Sequence, residues 1–448
     1  MNHKELKNLL ILLIIASGLL FLLNVFRFYN SDIMPVYDSY EHINNINQKN
    51  LVYPIDNFFS KSENYLFLFR LFPFLASIIN VSLLFFIGKK VIRKKKNTLF
   101  LTLLIFLLSP PFLFIHGTYN SLFIPLIFIL FGLLFVLDQK YFLAVFSFLL
   151  SFGLNQNLIP ALILLLIVLI EKLKSRSIGL PLLGMIIVSY LFSSFNNVSV
   201  NRIFDYNLLQ NYIFDLGSLF GFGIFTLILT GIGFIISWNN KKNNYIIYVL
   251  VISLFLFSLF NDVMIFFIDV LFVYYAGLGL STIIKKKWDS ELLKNYVIIL
   301  LICGLIFSSG SFIKELSETG PRKNEIQSLE WLKTQEKGRV LSHYKYGHMI
   351  SGISGFDTYI DKTYYISSKN KIRISNAENF FYSRDLEKNI EFLNRNNIKY
   401  IWINKEMRSG QVWNKDDEGV LLIMKNSHFF KRIYDFDAVQ IWEYMADE

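Results

Sequence analysis

The sequence predicts a polytopic α-helical membrane protein of about eleven transmembrane helices followed by a C-terminal extracytoplasmic mixed α/β domain. Three observations carry that expectation. Of the 448 residues, 54% are apolar, 17% aromatic and only 17% charged, whereas soluble chains carry about a quarter charged residues. Thr98 to Leu137 is a run of 40 residues without one Asp, Glu, Lys or Arg, roughly twice what a bilayer's hydrocarbon core accepts at about 1.5 Å per residue. From Glu315 onward the composition turns ordinary and mixed. The 46 Phe and 24 Tyr exclude disorder, the 23 Gly and 9 Pro exclude a collagen-like chain, and the single Cys303 excludes a disulfide framework or cysteine-based metal cluster.

Apolar runs place spans near 9–26, 65–88, 98–115, 121–137, 141–154, 158–170, 178–195, 219–238, 245–260, 263–284 and 296–313. The long Thr98–Leu137 run must turn once, and the polar cluster His116-Gly117-Thr118-Tyr119-Asn120 is where it does so. The first span lacks a small-residue cleavage site and reads as a retained anchor. Tyr141 to Ile170 reads either as one long helix or as two short ones broken at Asn155-Gln156-Asn157, and charge decides between them. With two helices, the segments 1–8, 89–97, 138–140, 171–177, 239–244 and 285–295 hold 18 Lys/Arg against 5 Asp/Glu, while the opposite loops hold 4 against 8. One long helix would send Lys172, Lys174, Arg176, Lys241, Lys242 and Lys285 to Lys287 outside, against the positive-inside rule. The N-terminus is then cytoplasmic and the C-terminal domain extracytoplasmic. The net charge of +10 belongs to the membrane part, 1–314, because 315–448 holds 20 basic and 20 acidic residues. It is an orientation signal, and the cluster Lys89 to Lys96 directly after a span is not a nucleic-acid site.

In the soluble domain the pattern predicts helices over Asn324–Thr334, Leu386–Asn396 and Gly419–Ser427. It predicts strands at Arg339–Ser342 and Lys399–Ile403 and a closing strand at Val439–Tyr444. Such alternation gives a small sheet with helices packed on it.

Candidate chemistry gathers in four places. The first external loop, Phe28 to Asn64, carries Asp32, Asp38, Glu41, Asp56 and Glu63. Asp38, Glu41 and His42 stand at i, i+3 and i+4 and share one face if the piece is helical. A partly desolvated carboxylate beside a second acid or an imidazole suits a general base, although acids also collect in external loops because nothing penalises them there. Arg70 and Asp269 lie inside predicted helices, where charge is costly and is paired or functional. They form either a structural ion pair, or Arg70 contacts the phosphate of a lipid-linked substrate. Asp215, just before a span, either caps the following helix or ligates a metal or orients an acceptor; the same loop carries the sequon Asn197-Val198-Ser199. In the soluble domain, His343-Tyr344-Lys345-Tyr346-Gly347-His348 is followed by Gly355 to Asp361, a strand end running into glycine-containing loops and hence a binding edge. His343, His348 and Asp361 match no established metal spacing. No dinucleotide fingerprint, phosphate-binding P-loop, HExxH or nucleophile elbow is present.

An N-in first helix, a long acidic first external loop with Asp38 in Tyr37-Asp38-Ser39-Tyr40-Glu41-His42, many further helices and an external α/β domain resemble the GT-C superfamily of polytopic glycosyltransferases. The likeness is to archaeal proteins related to the oligosaccharyltransferase catalytic subunit. The resemblance implies Asp38 as the catalytic acid of the first loop, with Glu41 and His42 beside it, and Asp215 as the acid before a later span. It implies an acceptor-binding turn at His343-Tyr344-Lys345-Tyr346-Gly347, where Tyr346 and Gly347 match the end of a Trp-Trp-Asp-Tyr-Gly motif and His348 follows directly. It implies a polyprenyl-phosphate-linked sugar as donor and, where a divalent metal such as Mg or Mn is used, Asp38 and Asp215 as candidate ligands. The second external loop, His116 to Asn120, holds no acid where the family has a pair, and Lys345 stands where the family has Asp. A relative that transfers one sugar to a lipid, glycan or protein acceptor therefore fits better than en bloc protein N-glycosylation, with Arg70 offsetting the leaving phosphate. Two other classes compete: a lipid or glycolipid transporter, which would favour midplane charges and repeated halves, and an inactive scaffold on the same fold.

Overall fold

In the computed structural model, the described residues are 3–30, 39–40, 65–92, 96–120, 122–154, 212–218, 221–239, most of 248–258, 264–361, 371–415 and 417–445. The chain divides into two units, one formed by 1–26 with 66–318 and the other by 27–65 with 319–448.

The first unit is helical: α1 His3–Asn30, α2 Tyr65–Val91, α3 Lys96–Leu107, α4 Pro110–Gly117, α5 Phe123–Leu137, α6 Tyr141–Leu154, α7 Ile224–Trp238, α8 Met264–Lys285 and α9 Glu291–Glu318. Among the described residues four helices are long and apolar enough to cross a membrane, starting at His3, Arg70, Met264 and Glu291, or five if a bent pair is one span. The described residues thus do not support the expected count of eleven. Helices α5, α6 and α7 are apolar but short, and the expected spans at 158–170 and 178–195 lie outside the described residues.

The single span expected at 98–115 is a bent pair of helices. Helices α3 and α4 meet at 60°. Pro110 and Pro111 cannot supply the amide donors that a continuous helix needs, and Ser109 instead caps α4 by accepting from the Phe112 amide at 3.3 Å. The expected turn at His116 to Asn120 is present. Helix α4 ends at Gly117 and α5 begins at Phe123, with Asn120 donating to Ile115 O at 2.9 Å and accepting from Leu122 N at 2.9 Å.

Small residues let the helices approach closely, as membrane interfaces require. A Cβ on Gly233 of α7 would collide with the Tyr275 carbonyl of α8, and one on Gly279 of α8 would collide with the Leu229 carbonyl of α7.

The second unit is mixed α/β: α10 Lys323–Leu332, β1 Arg339–Leu341, α11 Gly347–Ser354, α12 Lys371–Tyr382, α13 Leu386–Arg395, β2 Ile398–Ile403, α14 Val420–Asn426, β3 Phe430–Phe436 and β4 Val439–Tyr444. The sheet order is β1-β2-β4-β3, with β1 parallel to β2 and β4 antiparallel to both neighbours. Strand β2, Ile-Lys-Tyr-Ile-Trp-Ile, is buried along nearly its whole length, as a central strand covered on both faces must be. The expected closing strand is therefore central, and the edge is β3, which the sequence pattern did not predict. Two residues, Asp437 and Ala438, join β3 to β4 with φ of 44° and 67°, the sign a two-residue hairpin turn demands. The other edge, β1, is covered by a loop, with Val340 N donating to Asp357 O at 2.8 Å and Tyr359 N to Val340 O at 2.9 Å. Trp402, Trp413, Tyr346 and Tyr400 fill the core; the indole of Trp402 donates to Ser328 Oγ and that of Trp413 to Phe381 O, both at 2.9 Å.

Candidate functional site

In the second unit a polar network forms where β1 ends. His343 caps a short 3-10 turn, Tyr344–Tyr346, that leads directly into α11. Gly347 is obligatory at the junction, because a Cβ there would meet the Ile360 carbonyl and Asp361. The neighbouring Tyr346 is fully buried. Its hydroxyl donates to Glu406 Oε2 at 2.7 Å and lies 2.6 Å from Gln411 Oε1. Lys345 Nζ reaches the same Glu406 oxygen at 2.9 Å. Gln411 Nε2 lies 3.2 Å from His343 Nδ1. Behind this layer, Asn404 donates to Glu325 Oε1 at 2.7 Å, and Glu325 Oε2 accepts from the Arg322 amide at 2.9 Å.

The electrostatics follow from burial and partners. Burial first, then the Lys345 charge, holds the His343 imidazole down at about 4, so it is neutral. Burial and the adjacent Glu406 carboxylate push the Tyr346 phenol far above its usual range. For Glu406 burial works upward, but hydrogen bonds from Tyr346 and Lys345 outweigh it and leave the carboxyl below its usual range. Burial raises Glu325. A cleft of about 60 Å³ opens beside the turn, lined in part by His343, Tyr344, Glu378, Tyr382 and Gln411.

The expected soluble-domain residues therefore separate. Tyr346 and Gly347 build the turn. His348 is buried on the other side, its Nδ1 4.0 Å from Asp361 Oδ2, while His343 faces Gln411. The three do not converge, and among the described residues no group of three His, Cys, Asp or Glu is placed to hold a metal ion. Glu406 and Gln411 carry the network yet have no signature in the sequence, standing 60 and 65 residues beyond Tyr346.

In the first unit Asp215 does the capping work. Its Oδ2 accepts from the Ile224 amide at 2.7 Å, at the first turn of α7, and Ser308 Oγ lies 3.4 Å from Oδ1. The Arg70–Asp269 pair does not form. Asp269 Oδ2 accepts from Ser109 Oγ at 2.7 Å, and Oδ1 has no partner among the described residues. Nearby in sequence to that serine, His116 has its Nδ1 3.0 Å from Phe112 O and its Nε2 2.9 Å from Asn80 Nδ2. Asp38, Glu41 and His42 lie outside the described residues.

A bent and close-packed helical unit followed in the chain by a small mixed-sheet domain is similar in fold to archaeal oligosaccharyltransferase. The apo oligosaccharyltransferase of Archaeoglobus fulgidus is similar at a TM-score of 0.60 and 14% identity, over 96% of this chain and 73% of that one. The same enzyme tethered to an acceptor peptide containing the NVT sequon gives 0.55 and 12%, over 91% and 70%. The complex of AglB with an inhibitory peptide and a dolichol-phosphate gives 0.55 and 13%, over 91% and 70%. No protein-family description and no curated protein sequence matches the chain.

Proposed function

We propose that this chain is a membrane glycosyltransferase that takes a sugar from a polyprenyl-phosphate carrier and transfers it, on the external face, to a lipid, glycan or protein acceptor. The observation that carries the reading is the fold likeness to archaeal oligosaccharyltransferase, which extends through both the helical unit and the sheet domain over 96% of the chain. The known complex of such an enzyme with dolichol-phosphate favours a lipid-linked donor. The distribution of Lys and Arg among the loops favours a cytoplasmic N-terminus and puts the first loop and the residues from 315 onward on the external side.

In this reading Asp38 takes the proton of an acceptor hydroxyl as its oxygen bonds to the anomeric carbon. The bond from that carbon to the carrier phosphate breaks, and the electron pair leaves on the phosphate. Glu41 and His42 tune Asp38 toward a pKa suited to a general base, and Arg70 offsets the charge developing on the leaving group. The turn at Tyr346, Gly347 and His348 serves the acceptor. Of the two candidate ligands for a divalent metal, Asp215 has its Oδ2 on the Ile224 amide, and Asp38 lies outside the described residues.

A second reading, transfer of a whole glycan to the asparagine of a sequon, is favoured by the peptide-bound relative. Against it stands Lys345, whose ammonium is tied to Glu406 in the turn that would have to read the sequon hydroxyl. The test is transfer of labelled sugar from polyprenyl-phosphate by the full chain in membranes. The expected result is transfer that Asp38→Asn reduces by at least a hundredfold. Wild-type activity in that variant overturns the role of Asp38; movement of the lipid across the bilayer without transfer identifies a transporter, and neither activity identifies a scaffold.

A further inference from the structure

The break between α3 and α4 gathers oxygen acceptors beside a buried carboxylate that lacks a donor on one oxygen. Asp269, 1% exposed, presents two carboxylate oxygens there. Ser109 Oγ faces both Asp269 Oδ2 at 2.7 Å and Phe106 O at 2.8 Å with a single hydroxyl proton. Ser309 Oγ, on α9, likewise faces two carbonyls, Leu108 O and Leu305 O. Phe106 O also accepts from Ser109 N at 3.1 Å, and it is Asp269 Oδ1 that receives no donor. No basic side chain among the described residues pairs with Asp269, although a carboxylate enclosed by apolar helices requires a compensating charge.

The backbone at the break shows which sign of charge belongs there. Helix α3 ends at Leu107, so its last carbonyls and the negative end of its dipole point toward the gap. Helix α4 begins at the same place, but its first two residues are Pro110 and Pro111, which have no N–H. Its next amide, Phe112 N, is already taken by Ser109 Oγ. The helix start that ordinarily attracts anions is therefore stripped of donors, while the helix end that attracts cations turns the Phe106 and Leu108 carbonyls to the hydroxyls of Ser109 and Ser309.

We propose that Asp269, Ser109, Ser309 and the carbonyls of Phe106 and Leu108 form a site for a dehydrated monovalent cation of sodium size. These are hard oxygen donors carrying one negative charge, the donor set for such an ion. The bound ion pins α8 and α9 to the α3–α4 break. This inference does not depend on the glycosyltransferase reading, because its readout is the thermal stability of the resting protein.

The experiment measures unfolding of the full purified chain in detergent at constant ionic strength, with sodium chloride replacing choline chloride. A saturable upward shift of a few degrees is expected, absent in Asp269→Asn and reduced in Ser309→Ala. Because Asp269→Asn removes the charge that needs compensation, it should melt higher than the wild type in choline and lose that advantage in sodium. A melting temperature indifferent to sodium overturns the proposal, as does a sodium shift that persists in Asp269→Asn. Stability that follows pH and not sodium, in the wild type alone, would show that a proton neutralises Asp269 and equally overturns it.

Discussion

The phenol of Tyr346 and the carboxylate of Glu406, 60 residues apart in the chain, meet at 2.7 Å in the sheet domain. The hydroxyl proton that joins them ties the turn after β1 to the segment after β2. Lys345 adds a second bond to the same carboxylate from a half-exposed position. The two contacts should differ in worth. Tyr346→Phe leaves a half-buried acceptor short of a donor and should cost about 1–3 kcal/mol. Lys345→Ala breaks a partly solvated ion pair and should cost about 0.2–1 kcal/mol. Chemical denaturation of the full chain, following Trp402 and Trp413 fluorescence, ranks them, and the reverse ranking would contradict the network.

His343 gives this network a pH dependence of definite sign. Its folded value, about 4, lies below the ordinary 6.5, so proton uptake favours the unfolded chain. Stability should be level above pH 6.5 and fall as the pH drops from there toward about 4. Glu406, held below the ordinary 4.5, adds to the loss at the acid end, whereas Glu325, held above it, works in the opposite sense. Subtracting the profile of His343→Gln from that of the wild type isolates the histidine. A difference that does not vary between pH 4 and 6.5 would refute its neutral, enclosed state.

Gly347 should not tolerate a methyl group. The added Cβ meets the Ile360 carbonyl and Asp361, backbone that cannot turn away as a flexible side chain can. Gly347→Ala should cost about 1–3 kcal/mol and lower binding of any acceptor that uses the turn. Equal stability of the variant and the wild type would show that the 360–361 segment yields.

The hairpin joining β3 and β4 invites a stabilising change. Ala438 sits at φ 67°, a region that an L side chain enters at a cost of roughly 1–2 kcal/mol and glycine enters freely. Ala438→Gly should gain about 0.5–1 kcal/mol after glycine's extra unfolded-state entropy is charged against it. Thermal unfolding checks this, and a loss of stability would mean that the alanine methyl packs better than it strains.

Arg70 and Asp269 should behave independently. Asp269 is engaged by Ser109 at 2.7 Å, so exchanging the two charges, Arg70→Asp with Asp269→Arg, should not restore what either single change loses. Recovery of full transfer activity in the double variant would refute the phosphate role proposed for Arg70 and the observed partner of Asp269 together.

The long elements were legible from the sequence because their cause is local. An uncharged 40-residue run has nowhere to go but an apolar medium, and the polar cluster at His116 to Asn120 marks its turn. In the sheet domain, the periodic runs Leu386–Asn396 and Lys399–Ile403 correspond to α13 and β2 within a residue at each end. The short helix α11 and the edge strand β3 were not legible. Strand β3 alternates weakly, with its Lys431, Arg432, Asp435 and Phe436 all exposed, since an edge strand of a one-sided hairpin has little to bury.

The sequence by itself determined that this chain is a membrane protein, that a mixed α/β domain follows the helices, and that Asp38, Arg70, Asp215 and the Tyr346-Gly347 turn deserve testing. Those conclusions rest on composition, period and charge, which the chain carries wherever it folds. Tertiary structure alone decided which polar groups meet. It gave Tyr346 to Glu406, Asp215 to the first amide of α7, and Asp269 to Ser109 and not to Arg70. A buried polar atom must find a partner within about 3 Å, and which partner lies there is settled by helix bends and close backbone approaches between segments far apart in the chain.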